Sequence, residues 1–123
     1  MTNLLIIFAG GGIGSVFRYL IGQWVHGYLF SENFPLGTFL ANLISCLLLA
    51  GVLFFIKNES HPGFRLFLIT GICGGLSTFS TFGWESVQLI QQGKIIWAVF
   101  NIVFSLLLCL PILFWAIQKN SAS

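Results

Sequence analysis

The chain has 123 residues, 57% of them hydrophobic and 7% charged, with five Lys/Arg against three Glu for a net charge of +2. A soluble domain carries about 25% charged residues, so the composition excludes one, and residues 1–123 read as a single integral membrane domain. So few cations also exclude a nucleic-acid partner, which needs a basic patch.

A spanning helix takes roughly 20 mostly apolar residues. Four segments meet that length: 3–26, 36–56, 64–91 and 95–117. The expected fold class is an all-α membrane protein of four transmembrane helices, joined by the short polar connectors 28–35, 57–63 and 91–94. The first segment, MTNLLIIFAGGGIGSVF, has the greasy core of a signal peptide but no basic residues before it. Its apolar run continues past Arg18 to Val25, so it is expected to remain as a first span. Pro35 and Pro62 fall at or just before helix starts, where proline is tolerated. Pro111 lies inside the fourth span and marks an expected kink.

Polar residues inside a span are costly, which makes each a functional candidate. In the first span Gly10, Gly14, Arg18 and Gly22 recur every fourth residue and share one helix face. The glycines suit close packing of the small-xxx-small kind. They are no phosphate loop, because the Lys-Ser/Thr of that motif and a preceding strand are both missing. Arg18 has two readings: it snorkels to the interface, or it draws anions into a vestibule. In the second span Thr38, Asn42 and Ser45 fall at i, i+4 and i+7. Asn42, the costliest of the three, either glues helices together or lines a pathway.

The third span is interrupted by GGLSTFSTFG, residues 74–83. Gly74 and Gly75 are followed by four hydroxyls, Ser77, Thr78, Ser80 and Thr81, where apolar residues are expected. Irregular backbone at membrane depth survives only where protein or water surrounds it, and broken helices mark ion or substrate sites. A helix break near the bilayer middle is therefore expected here. Phe79 and Phe82 are one turn apart and share a face. Glu85, at the far edge of the break, is either a proton site or a carboxylate at the membrane surface. In the fourth span Asn101, Ser105 and Cys109 form a second polar stripe, although Ser105 can equally bond its own helix backbone.

Cys46, Cys73 and Cys109 each sit in an apolar run without zinc-ligand spacing and read as small core hydrophobes. Glu32 and Glu59 read as solvated connector charges, and His26 and His61 are isolated. Ser77 and Ser80 have no His or Lys placed to activate them, so no enzyme is expected.

With four spans both termini share a side with the 57–65 connector. That side carries Lys57, Arg65 and Lys119 against Lys94 opposite. Cytoplasmic loops normally carry a clear Lys/Arg excess, and so thin a bias permits insertion in both orientations. Four helices are few for a lined pathway, and no internal repeat supplies more. A homodimer is the expected remedy, and an inverted one fits the weak bias better. The polar groups on offer are mostly donors: hydroxyls, an amide, N–H groups at a half-helix start and the positive edges of phenyl rings. A cation path would show carboxylates or ordered carbonyls. The residues alone thus lead to a small-anion pathway in an oligomer.

Three motifs then carry a resemblance. GICGGLSTFSTF at 71–82 closely resembles the signature of the Fluc, or CrcB, family of small bacterial fluoride channels. GGGIGSVFRYL at 10–20 is similar to that family's first-helix motif, and PLGTFLANLISC at 35–46 to its second. The resemblance covers essentially the whole chain. It implies an inverted-topology homodimer in the bacterial inner membrane with two narrow pathways, through which passive fluoride export relieves toxicity. It implies pathway roles for Phe79 and Phe82, for the pore amide Asn42, for the polar track of Ser80 and Thr81, for the hydroxyl of Ser105 and for Arg18. Thr38 joins them as the residue one turn before Asn42 on the same stripe. It further implies a structural Na⁺ at the dimer centre, bound by the main-chain carbonyls of Gly74 and Ser77. Position 77 is Ser where the family typically has Thr, and Cys109 stands where a second fourth-helix hydroxyl can occur; with Asn101, a variable position, it leaves the outer pathway open.

Two rival readings belong to other classes. A dual-topology proton-coupled exporter would want a carboxylate buried in an early span, and the first two spans contain none. A non-conducting assembly subunit would use the polar residues only as helix glue.

Overall fold

A computed structural model describes residues 1–28, 36–56 and 62–122. The expectations for Pro35, Glu32, Lys57, Glu59 and His61 fall outside them. Among the described residues every regular element is a helix. Helix α1 spans Thr2–Tyr28 and α2 spans Leu36–Phe55. A third span follows in pieces: α3 (Pro62–Leu66), a π-helical segment (Phe67–Cys73), α4 (Gly74–Leu76) and α5 (Phe79–Gln91). Helix α6 closes the chain over Ile95–Ala122. Four of these spans are long and apolar enough to cross a membrane. Helix is the natural outcome for such runs, because lipid offers no partner to a free N–H or C=O.

The ends differ from the sequence reading by a few residues. Helix α1 starts one residue sooner and runs two residues longer, the third span begins at Pro62, and α6 extends through Lys119 to Ala122. Pro62 occupies the first helical position, where its missing N–H costs nothing. The helix runs through Pro111 without interruption. Arg65 Nη1 donates to the carbonyl of Ile56 at 2.9 Å, which ties α3 to the end of α2.

The turn between α5 and α6 is built by glycine. Gly93 has φ +78°, its N–H donates to the Ile90 carbonyl (3.1 Å), and the Lys94 N–H donates to the Leu89 carbonyl (2.8 Å). This is a Schellman C-cap, which needs a left-handed residue at just that place.

Helix α1 packs on the third span through backbone rather than side chains. A Cβ built on Gly10 would lie 2.6 Å from the Phe67 carbonyl oxygen and 2.8 Å from Gly71 Cα. Gly14 faces the Ile72 carbonyl, and Gly75 faces that of Gly11, as closely. Two i, i+4 glycine pairs, Gly10/Gly14 and Gly71/Gly75, thus let the helices touch, as small residues do where the hydrophobic effect gives no drive. Helix α2 packs mainly on α6. Ala41, Ala98 and Ala116 are fully or almost fully buried, and aromatic pairs flank them: Phe39 with Phe104 (5.7 Å between centroids) and Phe54 stacked on Trp115 (5.8 Å). In the most apolar stretch of each span no more than 28% of the residues are buried within the protomer, and large apolar side chains such as Phe8, Phe55 and Phe79 stay exposed for lipid or another chain.

Candidate functional site

The break in the third span comes from two extended residues. Ser77 (φ −89°, ψ 151°) and Thr78 (φ −153°, ψ 125°) leave the helix midway along 62–91. The backbone groups freed there find partners one by one. The Thr78 N–H, which in a continuous helix would reach the Gly74 carbonyl, donates instead to Asn42 Oδ1 at 3.1 Å. The Thr81 N–H, which would reach the Ser77 carbonyl, donates instead to Thr78 Oγ1 at 3.5 Å. Thr78 is thus the N-cap of α5, in the manner that makes threonine favourable at helix starts. Upstream, the Cys73 carbonyl accepts from the Ser45 hydroxyl (3.0 Å), the Ser77 hydroxyl (2.8 Å) and the Ser77 N–H (3.0 Å). Arg18 Nε donates to the Gly75 carbonyl at 3.2 Å. Every one of these bonds satisfies a backbone group that lipid could not.

The polar stripe of α2 explains much of this. Thr38 donates to Glu85 Oε1 (2.7 Å), Asn42 receives Thr78, and Ser45 donates to Cys73. Three residues on one face of α2 form rungs to the third span, one before the break, one at it and one after. Asn42 therefore does act as interhelical glue. It also lines a groove.

That groove, about 270 Å³ and open on one side, lies where α2, the break and α6 meet. Asn42 and Cys46 line it from α2, Ser77, Thr78, Phe79 and Phe82 from the break and the first turn of α5, and Ser105, Leu106 and Cys109 from α6. The Phe79 and Phe82 rings lie 6.1 Å apart between centroids, tilted by 37°. Ser105 is buried and its Oγ has no partner. Because Oδ1 of Asn42 is committed to Thr78, the remaining polar end of that amide is Nδ2, which can only donate. The groove thus offers an amide, the hydroxyls of Ser77, Thr78 and Ser105 and two phenyl rings, and no carboxylate lines it.

The profile of the family described as "CrcB-like protein, Camphor Resistance (CrcB)" matches residues 5–117. The chain belongs to the CrcB family. It is 38% identical over 126 residues to "Fluoride-specific ion channel FluC 1" of Yersinia pestis, with 99% of this chain and 98% of the relative covered. It is 42% identical over 112 residues to "Fluoride-specific ion channel FluC" of Shewanella baltica strain OS155, with 89% of each chain covered. A Yersinia pseudotuberculosis protein of the same name as the first is 37% identical over 126 residues. Four apolar spans and these relatives make the chain a multi-pass bacterial membrane protein.

Of the residues singled out in this CrcB chain, the structure gathers Asn42, Phe79, Phe82 and Ser105 around one groove. Ser80 is exposed on the first turn of α5, its hydroxyl 3.0 Å from that of Thr78, and Thr81 caps onto Thr78 beside it. Thr38 and Arg18 lie apart, bound to Glu85 and Gly75. Asn101 is 1% exposed and donates to Ser86 Oγ at 3.2 Å, while Ser86 itself donates to the Phe82 carbonyl. It braces α6 against α5 and does not line the groove.

Three features escaped the sequence reading. Thr78 was passed over although a threonine just before an apolar helical run is an N-cap signal. Cys46, read as core, and Cys109, read as core and as part of the α6 polar stripe, are half-buried groove residues, whereas Cys73 is buried. The π segment over Phe67–Cys73 left no signature beyond Gly71, where α1 presses close.

Proposed function

We infer that this chain is a fluoride-selective channel that lets cytoplasmic fluoride leave a bacterial cell passively across the inner membrane, and that it carries no enzymatic activity. The observation that carries the reading is the near full-length similarity to proteins named fluoride-specific ion channels. The groove supports it chemically. Fluoride is small and strongly hydrated, so it gains most from compact donors. The Asn42 amide, the unpartnered Ser105 hydroxyl and the first N–H groups of α5, where the helix dipole is positive, are such donors. The edges of Phe79 and Phe82 add weak attraction. Conduction needs binding loose enough to release the ion, and ring edges supply it. Ser80, Thr81, Thr38 and Arg18 would extend the polar track beyond the groove.

The conducting unit is an inverted homodimer. A single protomer leaves Phe79 84% exposed and the groove open on one side, and a second copy would enclose both. The dimer would hold Na⁺ at its centre. The carbonyls of Gly74 and Ser77 are the pair released when the Thr78 and Thr81 N–H groups turn to Asn42 and Thr78. Gly74 is exposed, and nothing lies within 4 Å of where its Cβ would be. Carbonyls of unwound helix are suitable ligands for Na⁺; bound there, the ion would lock the two breaks together.

Growth of a fluoride-hypersensitive bacterium on fluoride medium tests the reading. Expression of this chain should restore growth. No rescue by correctly inserted protein would contradict it.

A further inference from the structure

Cys46 comes from α2 and Cys109 from α6, yet both line the groove, and the two side chains lie close enough to interact. Both are free and half-buried. The third cysteine differs: Cys73 is near enough to Cys46 to interact with it, but it is buried, its thiol donates to the Ser45 carbonyl at 3.7 Å, and it does not line the groove. Two sulfurs from different helices, facing one cavity, make a ligand pair that sequence spacing of 63 residues could not suggest.

We propose that Cys46 and Cys109 form a two-thiolate site for a soft d¹⁰ metal ion, Cu(I), Ag(I) or Hg(II), within the groove. Thiolates select soft ions. No group of three or more His, Cys, Asp or Glu side chains that could hold a metal exists among the described residues, so these residues of one chain offer no four-coordinate zinc site, whereas two cysteines suffice for an ion content with two linear ligands. On binding, each thiol loses its proton to solvent and two S–H bonds are replaced by two metal–sulfur bonds. With Hg(II) the balance is two thiols plus one Hg²⁺ giving S–Hg–S and two H⁺, with no change of oxidation state. Sited between α2 and α6 beside Asn42, Phe79 and Ser105, the ion would also fill part of the groove. This consequence for ion flow rests on the fluoride reading; the binding does not.

The test is a titration of the full-length purified protein with Hg(II), following sulfur-to-mercury charge-transfer absorption, free thiols and released protons. The expected result is saturation at one ion per chain, with two of the three thiols lost together and two protons released. Thiols lost singly, without the two-thiolate absorption, would overturn the proposal, and that result needs no variant. Cys46→Ser and Cys109→Ser should each abolish the absorption, and Cys73→Ser should keep it; the reverse pattern would overturn the assignment. In fluoride-loaded liposomes Hg(II) should halt efflux, and efflux continuing with the site occupied would overturn the occlusion. Liposomes that release no fluoride before mercury is added would instead contradict the fluoride reading and leave the binding result standing.

Discussion

The side-chain oxygen of Asn42 accepts the Thr78 N–H at 3.1 Å, across 36 residues of sequence. This one bond stabilises the helix break, frees the Gly74 carbonyl and leaves the groove-lining amide its donor end. Asn42 thus has two separable duties, and substitutions can divide them. Asn42→Asp keeps an acceptor for Thr78 but puts a negative charge in an anion path. We expect folded, dimeric protein with fluoride efflux abolished. Asn42→Leu leaves the Thr78 N–H without a partner, at a cost of about 1–3 kcal/mol. Its thermal unfolding in detergent should come lower than that of Asn42→Asp.

Phe82→Ile removes a ring edge while keeping apolar bulk at a partly buried position on the groove wall. Assembly should survive, and fluoride efflux should fall sharply. Unchanged efflux would remove the ring pair from the pathway.

The glycine contacts of α1 make a contrast within one helix. Gly14→Ala would drive a Cβ into the Ile72 carbonyl, whereas a Cβ at Gly12 meets nothing within 4 Å. Overpacking costs about 1–3 kcal/mol, and backbone on both sides leaves little room to relax. Gly14→Ala should lose folded protein on size-exclusion chromatography, and Gly12→Ala should not.

The four spans and the helix break were legible because both are compositional. Apolar runs of the right length have few alternatives in lipid, and Gly74, Gly75 and four hydroxyls stand out against Leu and Ile. The stripe Thr38, Asn42, Ser45 was legible as a face, since helical spacing is local. Which helix that face meets is not local, and it took the structure to show all three residues bonded to the third span. The same holds for Cys46 beside Cys109 and for the π segment, where a run of Phe, Leu and Ile carries no mark of its altered hydrogen-bond period. The glycine spacing of α1 indicated close packing but could not identify Gly71 and Gly75 as its partners.

Asn101 tests the boundary of the groove. Its amide meets Ser86, whose own hydroxyl also donates to the Phe82 carbonyl, and its Oδ1 has no partner. Asn101→Leu removes a buried unsatisfied oxygen and leaves Ser86 bonded, so the change should be close to neutral for stability. Fluoride efflux should also persist, because the residue lies outside the groove lining. A large loss of efflux in folded protein would extend the pathway to α6 beyond Ser105.

The measurement that tests the central claim most directly is ion efflux from liposomes holding the purified protein, read with a fluoride electrode and repeated with chloride. Rapid fluoride release without chloride release is the predicted result. Well-folded, dimeric protein that releases no fluoride, or releases chloride as readily, would contradict it.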